Sequence, residues 1–138
     1  MPFWKCYFHT IWATYRREPI ITASIEAVIW DAIQRKSAAM ECEILAMNGV
    51  ADHIHVAVCI PPKISAGKWV GSMKGLSSHE VNAMFPNLPS HFRWQSSYGV
   101  LTFGAKNLDF VVAYIQNQKT HHAQNQLELY LEQTDDDL

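Results

Sequence analysis

Residues 53–60 constrain the fold most tightly, because aliphatic residues recur there at every second position until two prolines follow. A period of two is that of a β-strand, whose successive side chains point to opposite faces of a sheet. The even-numbered residues of this segment are all aliphatic, so their face is predicted to lie beneath helices. The odd-numbered face begins with His53 and His55, and we expect it to be the less buried of the two.

The remaining segments predict three further strands and three helices from their hydrophobic spacing. The four strands are predicted at 4–15, 41–47, 53–60 and 92–103, and the helices at 22–40, after 65, and at 108–132. Asn48-Gly49 is a typical hairpin dipeptide, and Thr22, Ser65 and Asn107 are residue types that cap helices. The order βαββαβ plus a terminal helix predicts an α+β ferredoxin-like sandwich, an antiparallel sheet with two helices on one face.

The chain is short and almost neutral, with 138 residues, 49% of them apolar, and a net charge of −2. This length predicts a single domain at 1–134 followed by an acidic tail at 135–138. No uncharged apolar run approaches the roughly 20 residues that cross a bilayer, so we expect a soluble, cytoplasmic protein without a membrane partner. The overall charge is not basic, so a nucleic-acid site must be a local patch.

His53 and His55 are candidates for a metal site. Neighbours on one face of a strand have Cα atoms roughly 6.5 to 7 Å apart, so the two imidazoles can converge on one ion. Asp52 precedes them and could orient or assist the pair. Two exposed polar side chains would give the same pattern, and the pair needs a third ligand to become a site.

Tyr114 and Gln118 lie four residues apart on the predicted last helix and therefore share a face, with His121 close to it. Tyr114 alone also fits a packed aromatic residue, because a phenol of pKa about 10 is a poor nucleophile at neutral pH. An ion held by two neutral imidazoles and an amide oxygen would keep its charge and polarise a phosphate. His121 and His122 fit a metal ligand, a phosphate or base contact, or a solvated helix turn.

Several short motifs occur in a characteristic order: His53-Ile54-His55, Trp94-Gln95, Tyr98-Gly99 and Tyr114-x-x-x-Gln118 with His121-His122. Together they resemble the insertion-sequence transposases with a single catalytic tyrosine, including the REP-associated type, which belong to the HUH nuclease superfamily. The resemblance extends from Tyr7 to His122, which is most of the chain. The sequence departs from it at Ser97, where glycine is common, and at Tyr15, where lysine is frequent.

The resemblance implies a Mg or Mn ion on His53, His55 and Gln118, and attack by Tyr114 on a phosphate of single-stranded DNA. The products would be a 5′-phosphotyrosine and a free 3′-hydroxyl, and rejoining would need no nucleotide cofactor because the covalent link conserves the phosphodiester energy. It also implies a DNA hairpin at element ends as partner, and a homodimer. The basic residues that we predict along the DNA path are Arg16, Arg17, Lys68, Lys74, Arg93 and Lys119.

Two other functions fit the residues. A domesticated, non-catalytic nucleic-acid-binding protein could stack bases on the sheet and would not need Tyr114, although the strands lack the aromatic pattern of an RNA-recognition sheet. A metal-dependent phosphohydrolase using activated water would keep His53 and His55 as ligands and leave Tyr114 as a packing residue. A covalent protein-DNA adduct is expected only of the tyrosine enzyme.

Overall fold

The computed structural model of the chain describes residues 4–123 and 132. One antiparallel sheet has the strand order β2-β3-β1-β4. The strands are β1 (Tyr7–Ala13), β2 (Glu43–Val50), β3 (His53–Cys59) and β4 (Gly99–Phe103). The α-helices of the described residues are α1 (Ala23–Ala39), α2 (Ala66–Met84), α3 (Leu108–Gln116) and α4 (Gln118–Ala123). The α+β sandwich with the order βαββαβ is therefore confirmed.

The main core lies between one face of the sheet and helices α1 and α2. The even-numbered residues of β3, from Ile54 to Val58, are fully buried there, as the alternation predicts. Trp12 of β1 meets Trp69 of α2 and Trp94 edge-on, with ring centroids 6.0 Å apart in both pairs. Burial of this continuous apolar face fixes the orientation of β3, and so directs its odd-numbered side chains to the other face.

The opposite face of the sheet is also covered, by α3 and α4. Ala46 and Ala57 of the sheet pack against Val111 and Ile115 of α3 in a second, smaller core. The expectation that the histidine face of β3 is the less buried one is therefore wrong. Periodicity describes the two faces of a strand but not which further element packs on the second face. The histidines consequently lie in an enclosed layer between sheet and helix.

The turn of the β2–β3 hairpin is Ala51-Asp52 and not Asn48-Gly49, because β2 continues to Val50 and pairs it with His53. The Asn48 side chain instead donates a hydrogen bond to the main-chain oxygen of Gln116, at 2.9 Å. A Cβ atom at Gly49 would lie 2.5 Å from the carbonyl oxygen of His53. Glycine is thus needed for the close approach of two strands, and the dipeptide only mimics a turn signal.

Two predicted strands are shorter in the structure. The first ends at Ala13 and not at residue 15, because Tyr15–Arg17 form a 3-10 turn in which Arg16 and Arg17 have φ angles of 56° and 52°. This left-handed backbone cannot continue a strand. The segment predicted at 92–103 forms strand only from Gly99, and before it Trp94 makes an isolated bridge to Thr14, the residue that follows β1.

The predicted last helix is interrupted at Asn117, where φ is −101° and ψ is 18°, so α3 and α4 are separate elements. Asn107 precedes α3 but makes no side-chain capping hydrogen bond. Residues 124–131 and 133–138, including the predicted acidic tail, lie outside the described residues. Among the described helices, none is long and apolar enough to cross a membrane.

Candidate metal and tyrosine site

Three histidines and one glutamate converge between β3 and the helices α3 and α4. His53 and His55 of β3 have ring centroids 5.2 Å apart, and His122 of α4 lies 4.8 Å from His53. With Glu132 they offer one ligand atom each, and these four atoms lie within 4.8 Å of one another. Such a group of imidazole nitrogens and a carboxylate can hold a divalent ion.

Glu132 connects the histidines to the tyrosine. Its Oε1 atom lies 3.1 Å from Nε2 of His53, 3.0 Å from Nε2 of His55 and 3.3 Å from Nε2 of His122. Its Oε2 atom accepts hydrogen bonds from the Tyr114 hydroxyl and, at 3.1 Å, from Nε2 of Gln118. The carboxylate is therefore shared by all the polar side chains at the centre of this cluster.

Tyr114 and Gln118 face the histidines, as their spacing predicts, even though the helix breaks between them. Tyr114 is 5% exposed, and its ring meets His55 edge-on with centroids 6.2 Å apart. Gln118 is fully buried, and its Oε1 atom accepts a hydrogen bond from Nε2 of His122 at 3.1 Å. The sequence thus predicts correctly which face of this helical segment approaches β3.

His9 of β1 supports His55 from behind and was not singled out from the sequence. A hydrogen bond of 2.8 Å joins Nε2 of His9 to Nδ1 of His55, and both rings are buried. Burial lowers the pKa of His55 to about 4 and that of His9 to about 3. Both imidazoles are therefore neutral at pH 7, and His55 is held with its Nε2 atom toward Glu132. The pairing register of β1 and β3 decides this contact, and a prediction of that register would have identified His9.

His53 has a different electrostatic environment. Burial acts to lower its pKa, but hydrogen bonds to Asp52 and Glu132 outweigh burial and leave the pKa raised. Asp52 accepts the bond from Nδ1 of His53 at 2.7 Å, and this bond lowers the pKa of Asp52. Burial also acts to raise the pKa of Glu132, yet its bonds with His53 and His55 lower it well below the usual range. Glu132 is therefore ionised throughout the physiological range.

The sequence predicts Glu132 only as the last residue of a helix. In a straight helix it would lie eighteen residues, or about 27 Å, beyond Tyr114, whereas the structure brings the two into hydrogen-bond contact. No periodic signal predicts this contact. His122 approaches the cluster, while the side chain of His121 lies outside what the structure describes.

Three of the six basic residues predicted along the DNA path, namely Arg16, Lys68 and Arg93, are exposed and lie away from the core. The guanidinium groups of Arg16 and Arg93 lie over the ring of Tyr15, 5.0 and 3.8 Å from its centroid, beside a cavity of about 360 Å³. Lys68 is exposed in the first turn of α2. These side chains can reach a phosphate backbone without breaking a core contact.

The other three basic residues make contacts within the protein. Lys74 donates to two main-chain carbonyl oxygens, at 2.7 and 2.9 Å. Lys119 pairs with Glu26 at 3.0 Å and so ties α4 to α1, and Arg17 lies 3.7 Å from Asp52. Each of these residues contacts another part of the protein, although Lys119 is itself exposed, so a substitution there would remove an internal contact as well as any DNA contact.

Residues 2–118 match the family described as "Transposase IS200 like". The chain belongs to this family. It is 35% identical over 121 residues to the transposase for insertion sequence element IS200 of Salmonella typhimurium, covering 83% of this chain and 78% of that protein. It is 23% identical over 115 residues to the ISDra2 transposase TnpA of Deinococcus radiodurans, covering 80% and 82%.

Two solved structures share the fold of this transposase. A putative transposase from Deinococcus radiodurans superposes with a TM-score of 0.70 at 25% identity, covering 85% of this chain and 93% of that one. A REP-associated tyrosine transposase bound to a REP hairpin superposes with a TM-score of 0.64 at 18% identity, covering 88% and 74%. The protein is thus a single-tyrosine DNA transposase, an enzyme that cleaves and joins single-stranded DNA. The family match ends at Gln118, so His122 and Glu132 lie beyond it.

Proposed function

We propose that this transposase cleaves single-stranded DNA by attack of Tyr114 on a phosphodiester, beside a Mg or Mn ion held by His53, His55 and Gln118. The observation that carries the proposal is the position of the Tyr114 hydroxyl. It donates to the same carboxylate that the two histidines contact, so nucleophile and candidate ligands meet within one enclosed cluster.

The chemistry of the donor set fits a divalent ion. His55 is neutral because burial keeps its pKa at about 4, and its Nδ1 atom is occupied by His9, which leaves Nε2 to bind a metal. Nitrogen donors from two histidines combined with amide or carboxylate oxygens suit Mn, and oxygen-rich sites also suit Mg. When bound, such an ion would withdraw charge from a phosphate oxygen and stabilise the leaving oxygen.

The reaction needs only groups that the site and the DNA provide. The phenolic oxygen of Tyr114 forms a bond to phosphorus while the bond from phosphorus to the 3′ oxygen breaks. The phenol proton ends on that oxygen, which gives a 5′-phosphotyrosine and a 3′-hydroxyl. The reverse attack by a 3′-hydroxyl rejoins a strand, so no nucleotide cofactor is required. His55 and Phe110, whose rings flank Tyr114, hold the phenol in place.

We extend this proposal to the partners. The substrate is single-stranded DNA with a hairpin at the element ends, by analogy with the structurally similar REP-associated tyrosine transposase, which was solved bound to a REP hairpin. Arg16, Arg93 and Lys68, which are exposed, contact its phosphates. The protein acts in the cytoplasm as a homodimer of one domain spanning 1–134, with 135–138 as a tail.

Covalent capture tests the proposal. The protein is incubated with Mn and labelled single-stranded hairpin DNA, then denatured and resolved by electrophoresis. We expect a protein-DNA adduct with the wild type and with Tyr98→Phe, an exposed tyrosine used as the matched control, and none with Tyr114→Phe. DNA cleavage that forms no adduct and persists in Tyr114→Phe would identify the phosphohydrolase. Binding without cleavage across many hairpins would identify the non-catalytic protein.

A further inference from the structure

The carboxylate of Glu132 lies where a ligand of the proposed ion would lie. Its Oε1 atom is 3.0 to 3.3 Å from Nε2 of His53, His55 and His122. Ligand atoms about 2.1 Å from a metal are roughly 3.4 Å apart in a tetrahedral site and roughly 3.0 Å apart in an octahedral one. The three distances fall in this interval, so Oε1 of Glu132 already has the spacing of a neighbouring ligand to each of the three nitrogens.

The chemistry of His122 matches that of the other histidines. Its ring centroid lies 4.8 Å from that of His53, and its Nε2 atom lies 3.3 Å from Oε1 of Glu132. Its Nε2 atom is held by Oε1 of Gln118 at 3.1 Å. Gln118 also donates to Oε2 of Glu132 at 3.1 Å, and its amide therefore positions both additional groups together.

The second oxygen of Glu132 reaches the nucleophile. Oε2 accepts the hydrogen bond of the Tyr114 hydroxyl, while Oε1 faces the histidines. A single carboxylate can thus bind an ion through one oxygen and orient the phenol through the other. Because the carboxylate is short and planar, this arrangement fixes the distance between the ion and the phenolic oxygen.

We propose that His122 and Glu132 complete the metal site, with Oε1 of Glu132 as a ligand and Oε2 positioning the Tyr114 hydroxyl. The inference rests on the proposed metal chemistry of His53 and His55. It assigns the extra ligands to the segment that follows the tyrosine, beyond the part of the chain that matches the family. The opposite interpretation is that Glu132 obstructs the site and must leave before an ion can bind.

Metal affinity separates these interpretations without any measurement of cleavage. Mn binding to the full chain without DNA is followed by titration calorimetry and by the loss of the free Mn signal in electron paramagnetic resonance. Glu132→Gln keeps the shape of the side chain but removes its charge, and we expect it to weaken Mn binding by at least about tenfold. Glu43→Gln is the matched control, because Glu43 is exposed at the far end of the β2–β3 ladder. It should bind Mn as the wild type does.

Unchanged or tighter Mn binding by Glu132→Gln would overturn the inference, and tighter binding would identify the obstructing role. If Glu132→Gln fails to fold, a measurement on the wild type takes the place of the variant. Pulsed electron paramagnetic resonance of the Mn-loaded protein counts the coordinated imidazole nitrogens, and we expect three, falling to two in His122→Ala. Two nitrogens in the wild type would remove His122 from the site.

The outcomes also distinguish this inference from the proposed function. A wild type that binds no Mn overturns both. If the wild type binds Mn and forms the tyrosine adduct but Glu132→Gln binds Mn equally well, only the role of Glu132 is overturned. Tyr114→Phe should retain wild-type Mn affinity, because the phenol contacts Oε2 and not the proposed ligand atom.

Discussion

Metal binding by this transposase is expected to release one proton between about pH 5 and pH 6.5. The raised pKa of His53 means that this imidazole carries a proton in the metal-free protein within that window. The proton must leave before Nε2 can bind an ion. Mn affinity should therefore fall about tenfold for each pH unit of acidification, which is about 1.4 kcal/mol. As pH rises through the pKa of His53, this dependence should disappear.

The other candidate ligands should not contribute to that slope. His55 has a pKa of about 4 and stays neutral, burial lowers the pKa of His122, and the lowered pKa of Glu132 keeps it ionised. Calorimetric titrations in buffers of different ionisation enthalpy measure the number of protons released. Asp52→Asn removes a hydrogen bond that raises the pKa of His53, so in this variant the dependence should begin at lower pH. A slope of two protons, or none, would refute this account of the two histidines.

Three further predictions follow from the contacts around the site. Gly49→Ala should lower the free energy of unfolding by about 1 to 3 kcal/mol in urea titrations, since its Cβ would lie 2.5 Å from the carbonyl oxygen of His53; unchanged stability would contradict the close approach. His9→Ala should weaken Mn binding by about tenfold while the fold persists, because His55 loses the partner that orients it; wild-type affinity would show that this bond is dispensable. An equal mixture of His53→Ala and Tyr114→Phe chains should stay inactive, because both residues meet one carboxylate within a single chain; restored cleavage would show that the tyrosine acts on a partner's site.

The sequence predicts the fold well where a single periodicity decides the structure. The alternation from 53 to 60 is confirmed as β3, and the helical spacing after Thr22 and Ser65 is confirmed as α1 and α2, each with a side-chain cap. The errors lie where tertiary contacts override a local signal. Gly49 serves the approach of two strands, not a turn, and Asn117 interrupts the helix predicted to continue to residue 132.

The candidate site was predictable in the same way, up to a limit. Strand alternation places His53 beside His55, and helical spacing places Tyr114 near Gln118, so these pairs follow from local geometry. Contacts between elements do not, because they depend on strand register and on the path of the chain. His9 and Glu132, which contact the predicted residues most closely, are therefore absent from the sequence-based site.

The most direct test of the central claim is to identify the residue that carries DNA after cleavage. The adduct is digested with trypsin, and mass spectrometry locates the nucleotide. Cleavage after Lys106 and Lys119 yields the peptide 107–119, in which Tyr114 is the one tyrosine. The account predicts a nucleotide phosphate on this peptide, and its loss in Tyr114→Phe. A nucleotide on another peptide, or DNA cleaved with no modified peptide, would contradict it.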